Sequence, residues 1–529
     1  MADVAIPEAP TPGADHEPAA PGAARRERPR PTATLAIGVV VATIFAVPAA
    51  FVVVRAIGLG ASWADTLEEV RAPAWRTLQL ATLVSTSSAI VGTALAWLTV
   101  RTDLPAARAW RVALVLPLVL PSFVGAGAFI AGLAPGGVVH DLLDVVGIEA
   151  PRRFRGLGPS WFTLTAFTYP YVLLPVSARL DALGADQEES ARTLGAGAVR
   201  TFARVTLPAI RSAVLAGALL VFLYTLSEFG AVQLLGYDTL TRVVYTTRQA
   251  DRATSFGAAA CLLVLAVAVV ALERRLRGRA TPDARRGRRE RRPVELGRAT
   301  APALALCLAV LAAGLLVPVA SLLTWAWRGW RAGTVSLGGL VGPAATTSAV
   351  AIAAAVVAVV VVVPIAIETT RRPGRVASVA AGAVLGGFAV PGLGWLYQSL
   401  ALLIAGYVIH FGSQALASGE QAVRAVPPRV REQARLLEPR PVRRALDVDV
   451  PLMRPGLLAG AGLVFLATVK ELPTTLLLAP VGFSTLATEI WSGFDEGFYA
   501  ETGAASLVLV AVSGALTWWL VLRPTVARR

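Results

Sequence analysis

The chain has 529 residues, of which 55% are hydrophobic and only 16% are charged. This composition excludes an ordinary soluble domain, because a soluble core does not need many apolar runs of about 20 residues, the length that crosses a bilayer. The formal net charge of +15 would suit a nucleic-acid-binding protein, but the arginines flank apolar runs instead of alternating with aromatic residues in a polar domain. We therefore expect an integral membrane protein with no nucleic-acid partner.

Twelve apolar runs are predicted to cross the membrane as helices. A polar stretch rich in Ala and Pro, residues 1–33, precedes them and is expected to be disordered. The first run is longer than the core of a signal peptide and no small-x-small cleavage site follows it, so we interpret it as a span. The predicted spans are 34–57, 78–100, 110–133, 160–178, 211–235, 255–272, 301–326, 346–367, 377–395, 397–417, 455–478 and 503–522.

Arginine positions orient these spans, because cytoplasmic loops retain positive charge. Arginine clusters precede the first span, follow the second and sixth, and lie between the fourth and fifth spans of each half, all on one side of the membrane. Both termini are then cytoplasmic. An Arg-rich segment, 273–299, joins a first domain, 34–272, to a second, 300–522, and a tail, 523–529, ends the chain. We expect this linker to lie on anionic headgroups as a tether with no transport role, so that halves split near Gly287 retain uptake.

The two domains are an internal repeat. Corresponding residues lie 270 positions apart in the first three spans, 243 apart around the fifth span and 246 apart after it. The offset falls because the first half carries about 27 extra residues, most simply in the outer loop 134–159. The halves are therefore parallel repeats of six spans, with a solute pathway expected along a pseudo-two-fold axis. The matching pairs include Thr77 with Thr347, Arg101 with Arg371, Pro121 with Pro391 and Glu228 with Glu471.

The chain shows no sign of catalysis or of a resident cofactor. Its single lysine, Lys470, follows Val469, so the Gly-Lys-Ser/Thr of a phosphate-binding P-loop is absent. The three histidines are isolated, with no metal-ligand spacing, and we expect no stable metal site. We predict a protein that is not an enzyme.

One polar pattern occurs between the fourth and fifth spans of each half. The first copy reads Glu189-Ser190-Ala191, then Gly195, then Val205-Thr206-Leu207-Pro208. The second reads Glu432-Gln433-Ala434, then Glu438-Pro439 where the first has Gly, then Val448-Asp449-Val450-Pro451. Residues 186–197 should form a short amphipathic helix, with Gly195 allowing a close approach or a turn. The second loop is expected to bend differently.

This pattern resembles the EAA loop through which the membrane subunits of ABC importers contact their ATPase. The resemblance implies an all-α integral membrane protein of the type I (MetI-like) permease fold, in a bacterial inner membrane. It also implies two copies of an ABC ATPase subunit on the cytoplasmic side and an extracytoplasmic solute-binding protein. The residues that it implicates in ATPase coupling are Glu189, Ala191, Gly195, Pro208, Glu432, Ala434 and Pro451.

The segments after the two loops resemble fused permeases for ferric iron. Leu226-Ser227-Glu228-Phe229-Gly230 is similar to their first half, and Lys470-Glu471-Leu472-Pro473 is similar to their second, although Ala479 stands where these permeases often have Arg. Permeases for thiamine, polyamines or an oxyanion share the Glu-Phe-Gly element and remain alternatives. A twelve-span secondary transporter is a more remote one, because it gives no reason for two EAA loops. A membrane enzyme or sensor would need a catalytic constellation or an attached soluble domain, and the sequence indicates neither.

Three ionisable residues fall within predicted spans: Glu228, Lys470 and Glu471. An uncompensated charge near the middle of a bilayer costs about 2.5–3.5 kcal/mol on insertion scales, so these side chains should face the bundle interior or a water-filled cavity. Two interpretations stay open. The carboxylates line the solute pathway, or they brace the helices by hydrogen bonds.

Overall fold

In the computed structural model of the chain, the regular elements of the described residues are helices, apart from an isolated parallel bridge between Thr102 and Val294. The described residues are 50–58, 63–151, 153–183, 186–276, 293–371, 398–437 and 440–517.

Within these ranges, eight helices are long and apolar enough to cross a membrane. A ninth candidate is a bent pair, Ala107–Val119 and Ser122–Leu133, whose two arms make an angle of 92°. The predicted all-helical, multi-span fold is therefore confirmed. The predicted span 377–395 and most of the predicted span 34–57 lie outside the described residues.

The first half contains long helices joined by short ones. The predicted start of the linker, residue 273, falls inside its last helix. In chain order the helices are α1 (Trp63–Arg101), α2 (Ala107–Ala113), α3 (Ser122–Leu133), α4 (Val138–Val145), α5 (Leu157–Thr168), α6 (Pro170–Ala182), α7 (Asp186–Thr193), α8 (Ala198–Thr201), α9 (Leu207–Ser227), α10 (Gly230–Leu234), α11 (Leu240–Thr247) and α12 (Arg252–Leu276).

The described helices of the second half follow the linker. Its helices are α13 (Thr300–Leu311), α14 (Val317–Ala332), α15 (Leu337–Arg371), α16 (Leu400–Ala425), α17 (Pro428–Leu437), α18 (Pro441–Arg444), α19 (Val450–Val469), α20 (Pro473–Leu478), α21 (Leu486–Glu496) and α22 (Tyr499–Thr517).

Besides the bent span 110–133, three further predicted spans are interrupted where their apolar runs suggested one helix each. The span 160–178 divides into α5 and α6 at Pro170, which has no N–H for the helix ladder. The spans 211–235 and 455–478 each end early and resume as the short helices α10 and α20. A glycine, Gly230, begins α10 and a proline, Pro473, begins α20; both residues disfavour a continuous helix.

The two halves are built around equivalent helix triplets. Helices α1, α6 and α9 pack together in the first half, and α15, α16 and α19 do so in the second. Helix α14, in the first span of the second half, packs on α22 and also on α3 of the first half. There, the Trp325 indole N–H donates to the carbonyl of Ala131 over 2.9 Å. Helices of the two halves therefore pack directly against each other.

Equivalent hydrogen bonds confirm the repeat at atomic detail. The backbone N–H of Leu240 donates to the Thr77 hydroxyl oxygen over 2.9 Å, and that of Leu486 donates to Thr347 over 2.8 Å. The two threonines lie 270 residues apart and the two leucines 246 apart, as the sequence offsets require. Each bond holds the start of α11 or α21 against the second span of its own half.

The described residues of the extra loop in the first half include α4. This helix packs against α3 and against α14 of the second half. Arg328 on α14 donates to the carbonyl of Gly136, and its Nη2 lies 3.8 Å from the Asp141 carboxylate. Further along the loop, the Gly156 N–H donates to Leu235 over 2.7 Å. The insertion is therefore fixed to both halves.

Candidate coupling sites and polar groups within the membrane

Helix α7 carries the first of the two predicted coupling motifs. It ends at Thr193, and Gly195 follows with a φ of 83°. The N–H of Ala196 donates to the carbonyl of Ala191 over 3.0 Å, the Schellman arrangement that ends many helices. Among the described residues, no atom lies within 4 Å of the place where a Cβ would stand at Gly195. Gly195 therefore serves the turn and not a close approach within the chain.

Glu188 anchors α7 to the rest of the first half. Its Oε1 lies 3.3 Å from Nη2 of Arg101 and accepts a hydrogen bond of 2.8 Å from the Thr206 hydroxyl. The side chains of Arg101 and Glu188 are only 4% and 11% exposed. Because a buried charge is costly unless it is paired, this contact holds α7 against the end of α1 and the foot of α9. The sequence motif had instead indicated the neighbouring residue, Glu189, which is half-buried. The sequence signal that could have pointed to Glu188 was its partner Arg101, an arginine that recurs at the equivalent span end of the second half.

Both coupling motifs expose a leucine at the end of their helix. Leu194 is 87% exposed and Leu437 is 85% exposed. They lie 243 residues apart, which is the offset of the two motifs. A single exposed leucine is ordinary, but the same exposure at equivalent positions of two repeats is typical of a contact surface. The motif consensus does not include this position, so the sequence prediction missed it.

Helix α17 carries the second motif. Ala434 is buried with 6% exposure, whereas Glu432 is exposed. In the first motif Ala191 is half-buried. The helix ends at Leu437, so the predicted difference in bend at residues 438–439 lies outside the described residues.

The prolines that end both motifs lie in the first turn of a long helix. Pro208 is the second residue of α9, and Pro451 is the second residue of α19. A five-residue π-helical segment precedes each of them, Phe202–Thr206 and Ala445–Asp449. Proline has no N–H for the carbonyl four residues earlier, and the wider π turn accommodates this loss. The two motifs therefore end in the same local geometry.

Glu228 lies at the break between α9 and α10. Its Oε1 accepts a hydrogen bond of 2.9 Å from the backbone N–H of Ala231, and its Oε2 accepts one of 2.7 Å from the Ser122 hydroxyl. The Tyr224 hydroxyl donates to the same Ser122 oxygen over 3.0 Å. Only 8% of Glu228 is exposed. The carboxylate thus caps the first turn of α10 and ties it to α3.

Glu471 makes the equivalent capping bond in the second half. Its Oε1 accepts a hydrogen bond of 2.9 Å from the backbone N–H of Thr474 in α20, and Glu471 is also 8% exposed. Its Oε2 lies 3.9 Å from Nε2 of His410 on α16. From the sequence His410 was interpreted as an isolated residue, because residue spacing does not show which side chains of two distant helices meet. The bracing geometry is therefore present in both halves.

Lys470 connects the two halves. Its Nζ donates to the carbonyl of Leu118 in the first half over 2.5 Å. Leu118 belongs to the 3₁₀ turn Leu116–Val119, which leads into α3. No group of three or more His, Cys, Asp and Glu side chains is arranged to hold a metal ion in the part of the chain that the structure describes.

Comparison with known proteins places this architecture in a family. Residues 90–281 match the model of the binding-protein-dependent transport system inner membrane component. The molybdenum transport system permease protein ModB of Azotobacter vinelandii is 33% identical over 161 residues, covering 30% of this chain and 70% of that protein. The chain belongs to this family of ABC importer permeases.

Two other relatives differ in how much of the permease they cover. The Fe(3+)-transport system permease protein FbpB 2 of Haemophilus influenzae is 25% identical over 465 residues, 83% of this chain and 87% of that protein. ModB of Escherichia coli is 28% identical over 211 residues, 38% of this chain and 91% of that protein. The first relative therefore matches most of the two-repeat length, and the second matches less than half of it.

The permease also brings repeat-equivalent aromatic rings into contact. Tyr245 and Trp491 lie 246 residues apart, the offset after the fifth span, and their ring centroids are 6.1 Å apart. The ring centroid of Phe229 lies 4.6 Å from that of Tyr245 and 6.4 Å from that of Trp491. Equivalent residues of two repeats touch only near the axis that relates them. Phe229, Tyr245 and Trp491, the axial aromatic cluster, therefore lie near the pseudo-two-fold axis.

Proposed function

We propose that this permease imports ferric iron, with one ATPase subunit docked on each coupling helix and a solute-binding protein on the opposite side of the membrane. The observation that carries the docking of the ATPase is the pair of exposed leucines, Leu194 and Leu437. An apolar side chain at the tip of each coupling helix suits insertion into a groove of a partner, where its burial stabilises the complex. Two equivalent tips in one chain favour two copies of the ATPase.

The coupling loops are cytoplasmic in this proposal, and so are both termini. Arginine supports this orientation, because the end of α1 and both coupling segments carry it on the same side. The membrane is the bacterial inner membrane, with permease domains 34–272 and 300–522. ATP is hydrolysed by the partner, since the single lysine, Lys470, is not in a P-loop.

Ferric iron is favoured over an oxyanion because the iron-transport relative matches a larger share of the chain. The iron-transport relative FbpB 2 matches 83% of the chain, whereas ModB of Escherichia coli matches 38%. An oxyanion is the second candidate, because the molybdenum relative of Azotobacter vinelandii has the higher identity, 33%. Thiamine and polyamine are further alternatives within the same class of permease.

The solute path follows the pseudo-two-fold axis, and Glu228, Lys470 and Glu471 lie beside it. Both carboxylates are at a helix break, and interrupted helices of this kind form solute sites in other transporters. In this proposal the axial aromatic cluster, which lies near the axis, closes the path. Import then requires the rings of Tyr245 and Trp491 to separate when the solute passes.

Reconstitution tests this function. The full-length permease is incorporated into proteoliposomes with the ATPase and binding protein encoded beside its gene, with ATP on the ATPase side. Transport of radioactive ferric iron, molybdate and sulfate is measured. We expect ATP-dependent transport of iron. Transport of molybdate or sulfate instead would assign an oxyanion, and gradient-driven transport without any ATPase would refute the proposal.

A further inference from the structure

The end of the linker between the two halves is fixed to the first half. The N–H of Val294 donates to the carbonyl of Arg101 over 2.8 Å, and the carbonyl of Val294 accepts from the N–H of Asp103 over 3.1 Å. Two residues later, the N–H of Leu296 donates to the Asp103 carboxylate over 2.9 Å. Residues 293–296, the linker clamp, therefore pair with the chain at the end of α1.

The clamp is packed as well as hydrogen-bonded. The Leu296 side chain lies against the main hydrophobic core. A 3₁₀ turn, Gly297–Ala299, follows directly, and α13 begins at Thr300. The clamp thus stands between the last turn of α1 and the first span of the second half. The preceding linker residues, 277–292, lie outside the described residues.

Arg101 connects this clamp to the coupling helix. Its carbonyl accepts the bond from Val294, while its buried guanidinium pairs with Glu188 of α7. Glu188 in turn accepts from Thr206, at the foot of α9. Because separating a buried ion pair leaves costly uncompensated charge, a change in the position of Arg101 is passed on to α7.

We propose that the linker clamp is a positioning element for ATPase coupling in the first half, an inference that rests on the proposed function. For residues 293–296 this replaces the expectation that the whole linker is a tether with no transport role. It holds Arg101 so that Glu188 sets the position of α7, and it conveys movement of α7 to α1 and α13. The linker that carries this clamp occurs once in the chain, between the two halves.

Paired substitutions test the clamp in the reconstituted importer. Val294→Pro removes the N–H that donates to Arg101, whereas Val294→Ala keeps it. Asp103→Ala removes the acceptor for Leu296, whereas Asp103→Asn keeps an acceptor oxygen. We expect Val294→Pro and Asp103→Ala to lower the solute transported per ATP hydrolysed by about fivefold, the scale of one lost hydrogen bond. The amount of bound ATPase and the two control variants should stay near wild type.

Each outcome decides for or against the clamp. Equal transport per ATP in Val294→Pro and Val294→Ala, and in the two Asp103 variants, would overturn the proposal. If Val294→Pro fails to accumulate in the membrane, the Asp103 pair alone decides. Halves split near Gly287 retain the clamp on the second half and should transport normally; loss of transport in assembled split halves would contradict this. Wild-type protein without ATP-dependent transport would instead contradict the proposed function.

Discussion

At Gly195 the backbone angle, and not the space around the residue, limits which side chain is accepted. Gly195→Ala places an L residue at a φ of 83°, which costs about 1–2 kcal/mol and weakens the end of α7. We expect transport to fall about tenfold at unchanged membrane levels, measured in proteoliposomes. Gly197→Ala is the matched control, because Gly197 also has open space but a φ of −66°. Equal transport by both variants would contradict this role.

The two intramembrane carboxylates differ from lipid-facing charges in having fixed partners. Glu228→Gln and Glu471→Gln keep an oxygen for the capping bonds from Ala231 and Thr474 but remove the charge. We expect normal membrane levels and ATPase binding with transport reduced at least about tenfold, because a charged path favours a hard cation. Uptake assays with both single variants measure this. Near-normal uptake in both would leave bracing as their whole role.

At the scale of one element, the coupling helices should bind their partner through the exposed leucines. Leu194→Asp and Leu437→Asp should each reduce the ATPase recovered with the permease about tenfold or more, since burying a leucine contributes about 1.5–3 kcal/mol. Co-purification quantifies the loss. Val145→Asp is the control, because Val145 is 85% exposed on α4, away from the coupling helices. Undiminished ATPase recovery from the Leu194 and Leu437 variants would exclude these surfaces as docking sites.

Elements were predictable from sequence where a local pattern determines them. The apolar runs predicted the long helices, and the EAA pattern predicted the helix before Gly195 together with its turn. The breaks at Glu228 and Glu471 were not predictable, because hydropathy does not show a side-chain carboxylate replacing backbone hydrogen bonds. Glu188 was missed for a related reason: its partner, Arg101, is distant in sequence.

Across the whole molecule, the repeat offsets predicted pairs such as Thr77 and Thr347, and the structure gives both the same hydrogen bond. The offsets carry no information about which helix meets which across the halves. The Lys470 bond to Leu118 and the packing of α14 on α3 depend on the complementary shapes of distant segments. No periodicity in either segment records this complementarity.

The axial aromatic cluster yields a prediction for the whole transporter. Tyr245→Cys and Trp491→Cys are combined in a chain whose native Cys261 and Cys307 are replaced by alanine. A short thiol-cleavable crosslinker should join them, because the native ring centroids are 6.1 Å apart. We expect crosslinking to reduce uptake to the background level and reduction to restore it, with each single-cysteine chain as control. Full uptake by the crosslinked protein would show that the path does not need these rings to separate.

The insertion around α4 makes the two halves of the permease distinguishable on the side of the membrane where α4 lies. A permease of two identical subunits offers any partner two equivalent orientations, related by half a turn. Here α4 is fixed to α14 by Arg328, and the second half has no comparable loop between its third and fourth predicted spans. A partner that binds this face therefore fits in one orientation only. Each part of that partner then always contacts the same half of the chain.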